Sequence, residues 1–429
     1  MDKGSLSLCM IFKNEALYLE EAIRSVLPIA SECILIDSGS QDGSEKIVFN
    51  LQKNYPSTQF KYIKREWPGD FSNQRNFAIE QASQDWILFL DADERISSED
   101  YEIILKSIQE KEVFAYDLSI RNYTYDTSEL EYQPSSSKHF PYGFVPTKLH
   151  RLFRRDLKIR YSGILHERIE PSLLQYQLKT KSLNAVIHHL GRLKEKDHQL
   201  ESERYAFYEI LGQKKIEENP QDAQAQWELG VILLKQGRPE EARSYFSKAM
   251  TLAPEVEDFQ IYYALSLFKQ AKWNELEKFN SPHMRANFFS ILAKAQTQPQ
   301  MIKQLDNFRD SFSQASLFIF ELSLRHHQVE RLSQDRKLAE EIFSATGLVE
   351  FLEGSFYRSE SQWDKAIPLL SKSLEKKCDL AIHDLALALC QSQRTKDATK
   401  LFENLTERQR NSLRADTLKI FAYAEAVKS

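Results

Sequence analysis

Cysteine is scarce in this chain. The 429 residues contain four cysteines, and no two of them form a Cys-x-x-Cys pair. Cys9 and Cys33 lie in apolar, strand-like runs. This predicts buried free thiols in a reducing compartment rather than disulfides or a thiolate metal site.

Long apolar runs and an excess of basic charge are also missing. No run approaches the roughly 20 apolar residues that are needed to cross a bilayer. The first apolar stretch ends at Lys13-Asn14-Glu15, too soon for a secretory signal. The formal net charge is -5, which gives no basic field for nucleic acid. We therefore expect a cytoplasmic protein, or one peripheral to the inner membrane, with no transmembrane segment and no nucleic-acid partner.

What is present up to about residue 190 is an alternation of apolar strands and helical segments. This pattern predicts a mostly parallel sheet with helices on both faces. Right-handed crossovers then bring the carboxyl ends of the strands to one edge. The predicted strands are 6–12, 33–36, 60–64 and 85–90, and the predicted helices are 15–27, 43–52 and 72–82, the last with Ser72 as its N-cap.

After about residue 200 the strand signal ends and helical pairs begin. Residues 222–254 carry Leu229-Gly230, Ala242, Phe246, Ala249 and Pro254 at tetratricopeptide spacing. Small residues at 230 and 242 are expected where the two helices of a repeat touch. Weaker copies are predicted at 264–279, 354–374 and 386–405, with a plain helical bundle as the alternative. We therefore predict one domain at 1–195 and a helical linker with repeats at 196–429.

Three polar clusters follow predicted strands: Asn14-Glu15, residues 37–44, and Asp91-Ala92-Asp93. Ligands of open parallel sheets bind beyond the carboxyl ends of the strands. Residues i and i+2 of an extended segment point the same way, so both aspartates can face one site. Divalent ions such as Mg²⁺ and Mn²⁺ prefer carboxylate and phosphate oxygens. Residues 37–44 are equally typical of an ordinary turn before a helix.

Arg75 and a later basic run each allow a functional and a structural interpretation. Arg75, near the start of a predicted helix, is suited to bind a phosphate or order a nucleotide loop, although a single arginine is more often a surface salt-bridge partner. The basic run from Arg151 to Arg160 is typical of a solvated face, and it also suits an anionic acceptor or lipid headgroup.

The segments IFKNE, LIDSGSQDGS and FSNQRNFAIEQASQDWILFLDADERI, in that order, resemble the GT-A fold of the large family of inverting glycosyltransferases. The stretch LHRLFRRDLKIRYSGILHERIEPS, followed by AVIHHLGR, resembles a bacterial subgroup that adds tetratricopeptide repeats and includes sublancin-type S-glycosyltransferases. The resemblance implies an α/β GT-A domain, a nucleotide-diphospho-sugar transferase with a Rossmann-like sheet. An all-α, tetratricopeptide-like superhelical domain would follow it.

The resemblance also implies a reaction and its site residues. A UDP- or GDP-sugar would react with inversion in one displacement, aided by a general base and by Mn²⁺ or Mg²⁺. Glu167, beside His166, would be the base. The donor would be bound by Asn14, Glu15, Asp37, Arg75 and Asp91, and the metal by Asp93 and His189. His188 and His189 are adjacent in a predicted strand, so they face opposite ways and cannot both serve this site.

The acceptor and two other functions stay open at this stage. The acceptor is a saccharide, a lipid-linked group or a peptide, and the repeats would dock it, a protein partner or a second copy. An inactive scaffold would show damage to the acidic pair, yet Asp37, Asp91, Asp93 and Glu167 are all present. A nucleotidyltransferase would need a glycine-rich basic loop after the first strand, and Lys13-Asn14-Glu15 is not such a loop.

Overall fold

The computed structural model describes residues 5–124, 129, 131–135, 143–163, 167–193, 198–309, 312, 315–343, 346–376, 378–411 and 413–428. No helix within these ranges is long and apolar enough to span a bilayer. All four cysteines are free, and Cys9, Cys33 and Cys378 are buried, as the sequence predicted.

The strands of the described residues form one eight-stranded sheet in the order β3-β2-β1-β4-β7-β6-β8-β5. These strands, β1 to β8, are Leu6–Phe12, Glu32–Asp37, Gln59–Lys64, Trp86–Phe89, Glu94–Ile96, Ala115–Thr124, Gly143–Arg154 and Thr180–His189. The four predicted strands are therefore present, with small shifts at their ends.

The sheet of the described residues is mostly parallel, as predicted: four of its seven strand pairs are parallel, and six of its eight strands run in one direction. β3, β2, β1 and β4 are parallel neighbours, and β1 is buried at every position, as expected for an inner parallel strand. β7 then runs antiparallel to β4, β6 antiparallel to β7, and β5 antiparallel to β8. β8 runs parallel to β6, so within this sheet only β7 and β5 run against the direction of the other six strands, and the sheet is mixed.

Five helices lie among the strands: α1 to α5 are Ala16–Arg24, Ser44–Asn54, Phe71–Gln81, Tyr101–Ser107 and Glu170–Gln175. The predicted N-cap of α3 is wrong. Asp70 caps this helix, since its side chain accepts from the backbone N–H of Asn73 at 3.1 Å. Ser72 is already inside the helix, and its hydroxyl donates to the carbonyl of Gly163.

The rest of the chain is helical where it is described. Helices α6 to α20 are His198–Glu218, Ala223–Lys235, Pro239–Leu252, Glu257–Lys269, Trp273–Lys278, Phe288–Ala295, Ile302–Leu305, Ala315–Arg325, Val329–Phe343, Leu348–Ser359, Trp363–Glu375, Ala381–Gln391, Thr395–Asn404, Glu407–Asn411 and Ala415–Lys428. The predicted order of an α/β domain followed by an all-α region is therefore confirmed.

The chain divides into two compact units. The first comprises Met1–Asp126 and Ser137–Ser266, and the second comprises Thr127–Ser136 and Leu267–Ser429. The first unit thus contains α6, α7 and α8 as well as the sheet. The predicted domain boundary after residue 195 marks the change from strands to helices, lies inside this unit, and stays a prediction.

The first repeat is built on a close contact between α7 and α8. Gly230 lies against the ring of Phe246, and Ala242 and Phe246 are both fully buried. This is the helix contact that the small residues predicted. Gly354 of α15 lies in the same way against Leu370 of α16, so the weaker copy repeats the arrangement.

Five helix-to-helix turns in the described residues share one capping geometry. A residue with positive φ follows the first helix, its N–H bonds back three residues, and the next N–H bonds back five. This double bond is the Schellman motif. The five residues are Gly237, Ala271, His327, Ser361 and Gln393. Positions 237 and 271, and again 327 and 361, are 34 residues apart, the tetratricopeptide period.

The close contact at Gly230 predicts a stability effect. A methyl group there would lie 2.5 Å from Cε1 of the buried Phe246 ring, so Gly230→Ala should lower the free energy of unfolding by about 1–2 kcal/mol. Gly212→Ala is the matched control, because its Cβ would meet side-chain atoms of Leu229 and Ile232 only at 3.3 Å or more. The control should gain up to about 1 kcal/mol from helix propensity. Urea unfolding of both variants measures the difference, and equal effects would contradict the steric explanation.

Candidate active site

The loops after β1 and β2 are joined by side-chain hydrogen bonds. Asn14 has a left-handed backbone conformation (φ 56°). Its backbone N–H donates to Ser40 Oγ at 2.9 Å, and its side-chain oxygen accepts from the backbone N–H of Gln41 at 2.8 Å. The N–H of Glu15 donates to Ser44 Oγ at 3.3 Å. Asn14 and Glu15, both predicted to bind the nucleotide-sugar donor, therefore lie directly against the turn that follows β2.

Asp37, at the end of β2, is fully buried beneath this turn. One carboxylate oxygen accepts from the N–H groups of Gly39 and Ser40, at 2.9 and 2.7 Å. The other accepts from the hydroxyl of Tyr62 at 2.6 Å. A carboxylate offers about four acceptor positions, so these three bonds leave little capacity for a ligand. The predicted contact between Asp37 and a base stays a prediction, while its role in shaping the turn is visible.

Helix α3 connects the turn to the acidic pair. Gln74 donates to Ser38 Oγ at 3.0 Å on one side. On the other side Arg75 donates from Nη2 to Asp91 at 2.8 Å and from Nε to Glu167. Arg75 is only 7% exposed and stacks on the rings of Phe89 and Tyr161. The guanidinium group of Arg75 therefore contacts Asp91, which like Arg75 is predicted to bind the sugar donor, and Glu167, the predicted base.

A second buried arginine holds the same aspartate. Arg151, on β7, donates from Nη2 to Asp91 at 3.0 Å and to Glu94 at 3.1 Å. Glu94 is almost fully buried and accepts from the backbone N–H of Asp91 at 2.8 Å. We call Arg75, Asp91, Glu94, Arg151 and Glu167 the arginine–carboxylate cluster.

Burial and charge oppose each other in this cluster. Burial alone would raise the pKa of Asp91, but the guanidinium groups of Arg75 and Arg151 outweigh it and hold that pKa well below its usual range. Burial raises the pKa of Glu94, and Arg151 only partly offsets the rise. Asp91 is 32% exposed, so this ionised carboxylate is both fixed in position and open to a ligand.

Asp93 and His189 form a second, adjacent pair. His189 Nε2 lies 3.4 Å from Asp93 Oδ1, and His189 Nδ1 contacts the side-chain oxygen of Asn122 at 2.7 Å. Burial would lower the pKa of His189, but its hydrogen bond to Asp93 and the charges of Asp93, Glu94 and Asp91 together outweigh burial and raise it. A Cβ on Gly191 would overlap Asp93 Oδ2 and come 2.7 Å from His189 Nε2. Only glycine at 191 therefore permits this close pair.

The two adjacent histidines have separate surroundings, as predicted. His188 is buried, is 2.9 Å from the hydroxyl of Tyr123, and stacks on that ring. Burial and the nearby Arg121 and Arg95 lower the pKa of His188 to about 4. A neutral ring in an aromatic pocket is a structural element, which leaves His189 as the histidine of the site. His166 lies outside the described residues.

The residues present fit a divalent ion bound together with phosphate. The described residues contain no group of three His, Cys, Asp or Glu side chains around one point. Asp93 and His189 supply one carboxylate and one imidazole, 3.4 Å apart. Two ligands at right angles, each about 2.1 Å from an ion, are about 3 Å apart. Mg²⁺ and similar ions commonly take one or two protein ligands and complete their shell with substrate phosphate and water.

Several buried donors at the site have no hydrogen-bond partner among the described residues. They are Nη1 of Arg75, Nε of Arg151 and the hydroxyl of Tyr161. A buried donor without a partner costs roughly 1–3 kcal/mol. The described part of the site therefore keeps three unused hydrogen-bond donors beside Asp91 and Glu167.

The sequence did not identify Arg151, Glu94, Asn122 or Gly191 as parts of the site. The reading of the basic run as a solvated face is wrong for Arg151, which is 5% exposed. Gly191 and Asn122 became visible only through the pairing of β8 with β5 and β6.

Two family models match parts of this chain. Residues 7–167 match the family model for glycosyl transferase family 2, and residues 214–257 match a tetratricopeptide repeat model. Asn14, Glu15, Asp37 and the arginine–carboxylate cluster all lie inside the first match. The two matches confirm a glycosyl transferase family 2 domain at residues 7–167 followed by a tetratricopeptide repeat, the order that the sequence predicted.

Three similar proteins illustrate the match. A TPR repeat-containing protein of Synechococcus elongatus is 29% identical over 56% of this chain and 59% of its own length. The SPbeta prophage-derived glycosyltransferase SunS of Bacillus subtilis is 28% identical over 44% of this chain and 40% of its own. The chain thus spans between two and three fifths of these relatives.

Among solved structures, the mannosyltransferase PcManGT of Pyrobaculum calidifontis, in complex with GDP-Man and Mn²⁺, is similar to this chain. It is 13% identical, with a TM-score of 0.36, over 65% of this chain and 88% of its own. At this TM-score the likeness says nothing about the site residues.

The arginine–carboxylate cluster predicts a large stability effect. Arg151→Met leaves the buried Glu94 without its cation and should lower the free energy of unfolding by about 3–5 kcal/mol. The double variant Arg151→Met with Glu94→Gln should recover part of this loss, because the uncompensated charge is gone. Lys148→Met, at an exposed position of the same strand, is the control and should change stability by less than about 0.5 kcal/mol. Urea unfolding decides, and a double variant no more stable than the single one would contradict the explanation.

Proposed function

We propose that this protein transfers a sugar from a UDP- or GDP-sugar to an acceptor, with inversion at the anomeric carbon and with the aid of Mn²⁺ or Mg²⁺. One observation carries the proposal. Arg75 contacts both Asp91 and Glu167, although Arg75 and Glu167 are 92 positions apart. The residue expected at the donor diphosphate and the residue expected to act as base are therefore held at one place.

The geometry supports separate roles for the two carboxylates. Asp91 follows β4 on the same sheet edge as the turn after β2, because β1 pairs in parallel with both strands, and nucleotides bind at this edge in open sheets. Glu167 lies on the other side of the same guanidinium and would accept the proton of the acceptor nucleophile. Arg75 keeps the two carboxylates at a fixed separation, which orients donor and acceptor for an in-line displacement.

The metal would be held by Asp93 and His189. Bound there, it would neutralise charge that develops on the leaving diphosphate. Asn122 fixes the ring of His189 through Nδ1, which leaves Nε2 directed at Asp93. Gly191 removes the side chain that would separate the two ligands.

The repeats would bind an extended peptide, which is either the acceptor or part of a protein partner. Tetratricopeptide arrays present elongated grooves to such segments. Saccharide and lipid-linked acceptors and self-association are the competing possibilities. The cytoplasmic location expected from the sequence is part of the same proposal.

Donor binding tests the metal site. The full-length chain is heated with each of a panel of UDP- and GDP-sugars and Mn²⁺, and its unfolding temperature is recorded. One donor, at about one hundred times its Kd, should raise that temperature by roughly 5–10 °C. Asp93→Asn should abolish the Mn²⁺-dependent part, whereas Asp85→Asn, exposed at the opposite end of β4, should keep it. Equal shifts in both variants would remove Asp93 from the metal site.

Turnover tests the base. Glu167→Gln keeps the size of the side chain but cannot take up a proton, so kcat for transfer should fall by roughly 10²–10⁴-fold. Donor affinity should change little, because the amide oxygen can still accept from Arg75. Release of nucleoside diphosphate from the donor that binds in the thermal assay gives the rate. A kcat within twofold of the wild type would exclude Glu167 as the base.

A further inference from the structure

Helix α6 lies beside the arginine–carboxylate cluster, although the glycosyltransferase model ends at residue 167 and the repeat model begins at 214. It belongs to the same compact unit as the sheet. Most of α6 is thus outside both matched regions, and no predicted site residue lies on it.

Aromatic packing anchors α6 one helical turn from Arg75. Phe71 begins α3 and shares a face with Arg75, four residues later. Phe71 packs, together with Tyr205 and Tyr208 of α6, against the buried Leu211 and Ile232. This contact fixes the amino-terminal half of α6 at the edge of the site.

Tyr208 is close enough to the site to respond to its charges. Burial raises the pKa of Tyr208, the carboxylates of Asp91 and Glu167 raise it further, and Arg204 opposes the rise. The phenol therefore lies within electrostatic range of both the predicted base and Arg204, a cation of α6.

Arg204 is that cation, and it differs from the arginines of the cluster. Its guanidinium lies 5.5 Å from the centre of the Tyr208 ring, and the residue is exposed. Arg75 and Arg151 are each bound to two carboxylates. Arg204 forms no ion pair with any carboxylate of the described residues, so its donors remain open to an anion.

We propose that α6 completes the donor site: Arg204 donates to a phosphoryl oxygen of the nucleotide diphosphate, and Tyr208 is the positioning residue that holds the guanidinium over the site. The proposal rests on the proposed function, because it needs a donor that carries a diphosphate. A planar guanidinium matches phosphoryl oxygens in pairs, which suits this role. The helix that follows the glycosyltransferase domain would then contribute to substrate binding as well as to the link with the repeats.

Titration of the full-length chain with UDP and with GDP, each with Mn²⁺, tests Arg204. Arg204→Ala should weaken the nucleotide that the wild type binds by about 10- to 100-fold, and Arg204→Lys by less. The ratio of diphosphate to monophosphate affinity should fall as well. Lys214→Ala is the matched control, since Lys214 is an exposed cation on the same helix, about 15 Å further along. It should bind like the wild type.

Substitutions at Tyr208 separate positioning from general stability. Tyr208→Phe keeps the ring under Arg204 and should keep nucleotide affinity within about threefold, whereas Tyr208→Ala should approach the loss of Arg204→Ala. The unfolding temperature of each variant without nucleotide shows whether the fold is intact.

Each remaining outcome has a definite meaning. Equal affinity of Arg204→Ala and wild type, or an equal loss in Lys214→Ala, would overturn the role of α6 and leave the proposed function standing. If the wild type binds neither UDP nor GDP and releases neither from a sugar donor, the proposed function fails and this inference fails with it.

Discussion

The rest of the site depends on the placement of two buried guanidinium groups around Asp91. Moving a carboxylate or an arginine from water into a protein costs several kcal/mol per ion, so such a cluster adds little to stability compared with apolar residues of the same size. What it fixes is geometry. Arg75 ties α3 to β4 and to Glu167, and Arg151 ties β7 to β4 and Glu94. Four separate segments of the chain are thereby aligned on one carboxylate.

Charge around that carboxylate is unbalanced in a direction that suits the proposed chemistry. Two arginines face the carboxylates of Asp91, Glu94 and Glu167, and Asp93 adds another acid nearby. An excess of negative charge repels a diphosphate on its own and attracts a divalent cation, so the pair binds better than either alone.

The sequence predicted those parts of the structure that depend on patterns within a short stretch of residues. β1, β2 and β4 are continuous apolar runs, and Asp91-Ala92-Asp93 follows one of them directly, so strand and acidic pair were readable together. The repeat was readable where Gly230 and Ala242 are small. The later strands were not, because β6, β7 and β8 combine apolar with charged residues and their partners are distant. The capping turns of the later repeats were hidden because glycine is replaced by Ala271, His327, Ser361 and Gln393.

The division of the chain into units bears on how such proteins are recombined. Helices α6, α7 and α8 share one compact body with the sheet, whereas the later hairpins belong to another. A gene fusion joined at the last strand would separate Phe71 from α6. The transplanted domain would then lack the helix that packs against the start of α3. A fusion joined at the turn after α9, near Ala271, leaves every one of those contacts within a single parent. Exchange of the later helical hairpins among relatives should therefore favour the junction near Ala271.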